Sequence, residues 1–156
     1  MKQNAYLDYA AAVPPTKKAL RAFDSTVRAF GNPSAAHTHG RKAKDLLERA
    51  RAEIAHAAGA KPEALVFTSG ATEANAIAIR GHIRARLLNG ARPEDLHLMY
   101  VEGAHASVRE TMEALAHEGV VVNAVPLKDG DIDIEALSKL VRNETTLISV
   151  EAISSE

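Results

Sequence analysis

Cysteine is absent from the 156 residues. That excludes a disulfide, a thiolate-bound metal and a thiol nucleophile supplied by this chain. Tryptophan is absent as well, and aromatic residues make up only 4%. Alanine is abundant instead, which favours close helix–sheet packing by small side chains. Neither charge sign is in excess, with a net charge of −1 and 25% charged residues. A nucleic acid or an anionic membrane surface is therefore not expected as a partner. The opening MKQNAYLDYA lacks a long apolar core, and no later run approaches the length of a membrane span. The default expectation is a soluble cytoplasmic protein of about one ordinary domain.

What is present is mostly periodic. After Pro14 and Pro15, Thr16 is placed to cap a helix carrying Leu20, Phe23, Val27 and Phe30 on one face, ended by Gly31. Arg41 to Ala58 fits a second helix, with Ala43, Leu46, Leu47, Ala50, Ile54 and Ala57 inward and Gly59 as its stop. Ala64 to Phe67 reads as a short buried strand, and Thr72 to about Asn89 as a third helix. Leu96–Val101, Val120–Leu127 and Thr146–Ile153 read as strands, separated by helices over Ser107–Glu118 and from Asp133 to Arg142. Strands joined by helices cannot form hairpins. The fold class that follows is α/β: a mostly parallel sheet with helices on both faces. An extended segment over 1–15 would precede this domain over 16–156. In open parallel sheets ligands bind at the carboxyl ends of the strands, and the sequence stops at Ser154-Ser155-Glu156, where such a site would be completed.

The strand-to-helix corner FTSGATEANA, residues 67–76, carries the sharpest chemical signal. A helix start leaves N–H groups unpaired and favours negative charge. Gly70 and Ala71 add almost no bulk, and Ser69 and Thr72 offer hydroxyls, so phosphate is a natural occupant. On the corner alone a plain helix cap, with Glu73 in the first turn, is the commoner arrangement.

The corner has company. LDYAAAVPP, GNPSAAHTHGRKA at 31–43, FTSGATEANAIA at 67–78 and AHASV at 104–108 occur in that order. Together with KDGDIDIEAL and TTLISV they resemble the cysteine desulfurases, within the class V aminotransferase group of pyridoxal-phosphate enzymes, over essentially the whole chain. The resemblance implies the incomplete large domain of a fold type I pyridoxal-phosphate enzyme, its amino-terminal half. It implies that the cofactor phosphate is held at Gly70, by the N–H groups of Ala71 and Thr72 and by the Thr72 hydroxyl. His105 falls on the family's histidine that stacks on the cofactor ring and helps move protons, so it is the implied catalytic residue. Ser155 stands where the family's asparagine contacts the cofactor ring oxygen. The family's acidic residue before the histidine is Ala104 here, with Glu102 two positions away.

Other histidines are less telling. His37 and His39 form a His-x-His pair without a third metal ligand; only His37 matches the family, in a structural or subunit-contact role. His56, His82, His97 and His117 match no motif and are expected to be surface or half-buried. Arg41, Lys42 and Lys44 read as the solvated face of a helix.

The family's Schiff-base lysine, its aspartate partner of the pyridine nitrogen and its persulfide cysteine have no counterpart in this sequence. Two readings follow. The chain is either part of a cysteine desulfurase-like enzyme that turns L-cysteine into L-alanine and passes sulfur on for iron–sulfur assembly, or a non-catalytic α/β module that binds a phosphorylated ligand or a protein. In the first it is expected to be inactive alone, either as a fragment of such an enzyme or as one half of a split enzyme whose complementary chain carries the distal half. A selenocysteine lyase or another β-eliminating enzyme is a third, weaker reading. An apolar strand left at the sheet edge predicts association with another chain, as a homo- or hetero-oligomer.

Overall fold

The computed structural model describes residues 5–9 and 11–152. The chain divides into two compact units, Met1–Phe67 and Thr68–Glu156.

In the first unit, Thr16 caps helix α1 (Lys17–Val27) by accepting from the Ala19 N–H, as the sequence predicts. The stripe on α1 is present but uncovered: Leu20, Phe23 and Val27 are all exposed. Helix α2 (Thr38–Ala57) starts three residues earlier than its periodicity suggests, because His37 acts as the cap. Its Nδ1 accepts from the Gly40 N–H at 3.2 Å. Imidazole is not among the usual capping side chains, which is why the start was illegible. Of the six residues predicted to face inward, Ala43 is buried and Leu46 and Leu47 half-buried, whereas Ala50, Ile54 and Ala57 are exposed. Arg41, Lys42 and Lys44 face solvent.

The strand expected at Ala64–Phe67 does not form. Pro62–Ala64 is a 3₁₀ turn, and the residues after it are extended without a ladder. Arg51 occupies this segment instead. Its guanidinium donates to the Leu65 carbonyl at 2.6 Å and lies 4.9 Å from the centre of the Phe67 ring. An extended run becomes a strand only when a neighbour takes its backbone groups, and here a side chain takes one of them.

The second unit is the layered one. Helix α3 (Ala71–Leu88) leads to strand β1 (His97–Val101), helix α4 (Ala106–His117) and strand β2 (Val121–Val125). A small antiparallel hairpin, β3 (Leu127–Lys128) and β4 (Asp131–Ile132), precedes helix α5 (Ile134–Leu140) and strand β5 (Thr145–Ser149). The predicted strand over 120–127 is cut because Pro126 has no N–H for the ladder. The chain then reverses through Asp129 and Gly130, both at positive φ (54° and 86°), as a tight hairpin turn requires. Asp133 caps α5 through the Ala136 N–H at 2.9 Å, although the helix stops at Leu140, short of the predicted Arg142.

The sheet is parallel, in the order β2–β1–β5, with β1 at its centre. Side chains alternate across β1. Leu98 and Tyr100 join Ile79 and Ile83 of α3 and Val108, Met112 and Leu115 of α4 in one core. Met99 and Val101 meet Val125, with Leu137 and Leu140 of α5 packed against them on the other face. Helices thus cover both faces of a parallel sheet.

His97, expected at the surface or half-buried, is 1% exposed. Its Nδ1 lies 2.7 Å from Thr145 Oγ1 and its Nε2 2.9 Å from Asn123 Oδ1. Both nitrogens are satisfied, so the ring can be buried as a cross-strand tie. It joins all three strands, from the first residues of β1 and β5 to the middle of β2.

Candidate functional site

The corner at residues 68–73 belongs to the second unit, at the start of α3. Gly70 is the N-cap residue and has no side chain to cap with. The helix ladder opens with the Ala74 N–H donating to the Gly70 carbonyl at 3.1 Å. The N–H groups of Ala71, Thr72 and Glu73 precede it and point out of the helix start. Space around the corner is open: a Cβ added at Gly70 would meet nothing within 4 Å.

Two hydroxyls were expected to line the corner, and only one is free. Ser69 donates both its N–H (2.5 Å) and its Oγ–H (2.7 Å) to Glu73 Oε2, while Thr72 Oγ1 makes no hydrogen bond among the described residues. Glu73 therefore folds back and accepts both bonds from the residue before the cap, half of a capping-box arrangement. The two bonds from Ser69, the backbone one first, hold its carboxyl below the usual glutamate range. A depressed folded-state value stabilises the closed corner above the unfolded value and loses that contribution as pH falls through the folded one. The Ser69 amide resonance is therefore expected to titrate with a midpoint below the ordinary glutamate value, and Glu73→Gln should abolish that titration.

His105 caps α4 and its side chain is exposed. The Ser107 N–H donates to its Nδ1 at 3.1 Å, and Ser107 Oγ lies 2.9 Å from the same nitrogen. Ser107 Oγ in turn accepts from Asn75 Nδ2 at 2.8 Å. The first turns of α3 and α4 are thereby tied together, which brings the His105 cap and the Gly70 corner to one end of the unit. On the other side the His105 N–H donates to Glu151 Oε1 at 2.7 Å. Beside it, beyond the carboxyl ends of β1 and β5, lies a cavity of about 550 Å³ whose walls include Glu102, Gly103, Ala104, Asp131 and Glu151.

Of the sequence-predicted site residues, Gly70, Ala71, Thr72 and His105 lie at this end; Ser155 falls outside the described residues. Asn75, Ser107 and Glu151 were missed. A serine two positions after a cap residue is a recognisable signal. The Asn75 and Glu151 contacts span 32 and 46 residues, and local pattern does not reveal such distant partners. No group of three or more metal-ligating side chains occurs among the described residues, and none of their helices is long and apolar enough to cross a membrane.

Comparison with known proteins gives this arrangement a context. The family model described as Aminotransferase class-V matches residues 5–156. The chain belongs to that family. Among its curated relatives, the cysteine desulfurase IscS of Neisseria meningitidis serogroup C is 37% identical over 159 residues, covering 100% of this chain and 38% of the relative. The mitosomal cysteine desulfurase of Encephalitozoon cuniculi is 34% identical, with 97% and 35% covered. A solved structure described as SspA in complex with cysteine superposes with a TM-score of 0.80 at 35% identity, covering 93% of this chain and 41% of that one. DndA from Streptomyces lividans gives 0.68 at 34%, with 92% and 40% covered. This class-V chain thus has the parallel-sheet core of the fold type I pyridoxal-phosphate enzymes, and spans somewhat over a third of the length of its curated relatives.

Proposed function

We propose that this chain is the cofactor-cradling portion of a cysteine desulfurase-like enzyme, which converts L-cysteine to L-alanine and passes the sulfur to a thiol as a persulfide. The observation that carries the reading is the open corner at Gly70, with unpaired N–H groups at a helix start and no side chain in front of them. Those features fit a phosphate monoester. A flat imidazole at the same end of the sheet fits an aromatic ring beside that phosphate. Pyridoxal phosphate, when bound, supplies the electron sink that such chemistry needs.

The chain's own residues have defined tasks in this reading. Ala71 and Thr72 would donate N–H groups to the phosphate, and the Thr72 hydroxyl would add a third donor. His105 would face the ring and hold or move a proton at Nε2. Ser155 would contact the ring oxygen. The thiol that accepts sulfur is not among the 156 residues, so turnover requires a complementary segment that brings it. The outer edge of β5, with Ile148 and Val150 exposed, supports association with such a segment or with a second copy. A cytoplasmic location and a role in supplying sulfur for iron–sulfur assembly belong to the same reading.

Titration of pyridoxal phosphate into the chain, followed by its visible absorption, tests the corner. Gly70→Val should fold normally, since its branches enter open space, yet weaken binding by about tenfold or more by blocking close approach to the amides, which forfeits roughly one charge-assisted hydrogen bond. Equal affinity in the variant and the parent would sink the phosphate assignment. A parent chain that binds simple phosphate esters as well as it binds the cofactor would favour the non-catalytic module instead.

A further inference from the structure

His105 rests on a particular set of hydrogen bonds. The ring is exposed, and an exposed histidine ordinarily samples several rotamers and both neutral tautomers. Here one edge of the ring is anchored. The Ser107 N–H donates to Nδ1 at 3.1 Å, and a backbone amide can only donate. Nδ1 must therefore carry a lone pair, and the proton of the neutral ring sits on Nε2. The second contact agrees. Asn75 Nδ2 donates to Ser107 Oγ at 2.8 Å, which occupies an oxygen lone pair and leaves the hydroxyl proton to point at Nδ1, 2.9 Å away. Ser107 is itself buried, so water does not compete easily for its hydroxyl.

We propose that Asn75 and Ser107 are positioning residues that lock His105 in one rotamer and one tautomer, with Nδ1 as acceptor and the Nε2–H edge turned to the open side of the site. The polarity of the chain runs from the Asn75 amide through the Ser107 hydroxyl to the imidazole. Its meaning for catalysis rests on the reading of His105 as the group beside the cofactor: Nε2 would be the one nitrogen that exchanges a proton there. The tautomer itself is a property of this chain, whatever binds to it.

The test is nitrogen NMR of the full chain labelled with ¹⁵N, in which long-range proton–nitrogen correlations separate a pyridine-type from a pyrrole-type ring nitrogen. The parent should show His105 with Nδ1 pyridine-type and Nε2 pyrrole-type at neutral pH. Ser107→Ala removes one of two donors to Nδ1, and should lower the ratio of the Nε2–H to the Nδ1–H form roughly fivefold, the size expected for one hydrogen bond of ordinary net strength. Asn75→Asp is the sharper variant. The carboxylate accepts from the Ser107 hydroxyl and turns that donor away from Nδ1, leaving only the Ser107 N–H there, so the protonated Nδ1 population rises at least as far as in Ser107→Ala.

The backbone amide spectrum of α4 reports folding in each variant, and either variant suffices if the other unfolds. Two results would overturn the proposal: a parent histidine showing the tautomer mixture of an unstructured peptide, or a folded Asn75→Asp chain with an unchanged ratio. The cofactor titration separates this from the functional reading. A locked tautomer without cofactor binding keeps the positioning and sinks the function; binding with a mixed tautomer does the reverse.

Discussion

Leu98→Ala is expected to destabilise the second unit by about 2–5 kcal/mol, the range for emptying a large aliphatic side chain from a core. Leu98 is 0% exposed and sits on β1, the central strand. It belongs to the cluster that holds Ile79 and Ile83 of α3 and Val108, Met112 and Leu115 of α4. The cavity would open beneath both helices at once, and the sheet, paired on each side of β1, has little freedom to collapse into it. Urea unfolding followed by circular dichroism should show the midpoint falling while the denaturant slope is kept. The consequence for the proposed function is separable: α3 and α4 begin at Gly70 and His105, so on that proposal looser packing should weaken cofactor binding without altering any residue proposed to contact it. A loss below 1 kcal/mol would mean that the core repacks far more easily than its burial implies.

Gly40→Ala is the second large effect, and two opposing terms decide it. In an unconstrained helix interior the exchange would gain about 1 kcal/mol from propensity. Gly40 is not unconstrained. An alanine Cβ there would run into the carbonyl of Ala35 and come within 2.8 Å of Asn32 O. Both are backbone atoms, which cannot swing aside as a flexible side chain would. Overpacking of this kind costs about 1–3 kcal/mol. Because the obstruction is main chain, the upper part of that range applies and the net change is destabilising. The same contact fixes how the turn at 32–36 folds onto α2, so the His37 cap, whose Nδ1 accepts from the Gly40 N–H, should loosen too. Thermal unfolding compared with Gly81→Ala supplies the control, since the helical Gly81 has open space around its missing Cβ and should tolerate or welcome the methyl.

Where a residue's fate depends on neighbours close in sequence, the expectation and the structure coincide. Thr16 caps α1 as expected, Asp133 caps the helix expected to start there, and Gly59, the expected stop of α2, follows its end with positive φ. Failures concentrate where the deciding partner is distant or unusual. Leu65 to Phe67 has strand composition, but a strand needs a ladder, and Arg51 claims the Leu65 carbonyl. His97 looked like an ordinary surface residue because neither Asn123 nor Thr145 is near it in sequence. At the candidate site, the ordered motifs singled out the corner and His105, which lie at one end of the second unit. The capping role of Glu73 was half-legible, since only the structure shows that it consumes the Ser69 hydroxyl. The Asn75–Ser107 support under His105 was not legible, because side-chain hydrogen bonds across 32 residues leave no periodic trace.

The buried imidazole of His97 has one more implication. It stands at the first pair of residues in both ladders, opposite Val121 and Thr145. A one-residue slip of either neighbour would strand a ring nitrogen in the interior without its partner. Alignment of the strands is thus clamped at the end remote from Gly103, Ala104 and Glu151. Evolution, or a protein engineer, can rewrite the opposite rim freely, because the part that keeps the strands in step lies elsewhere.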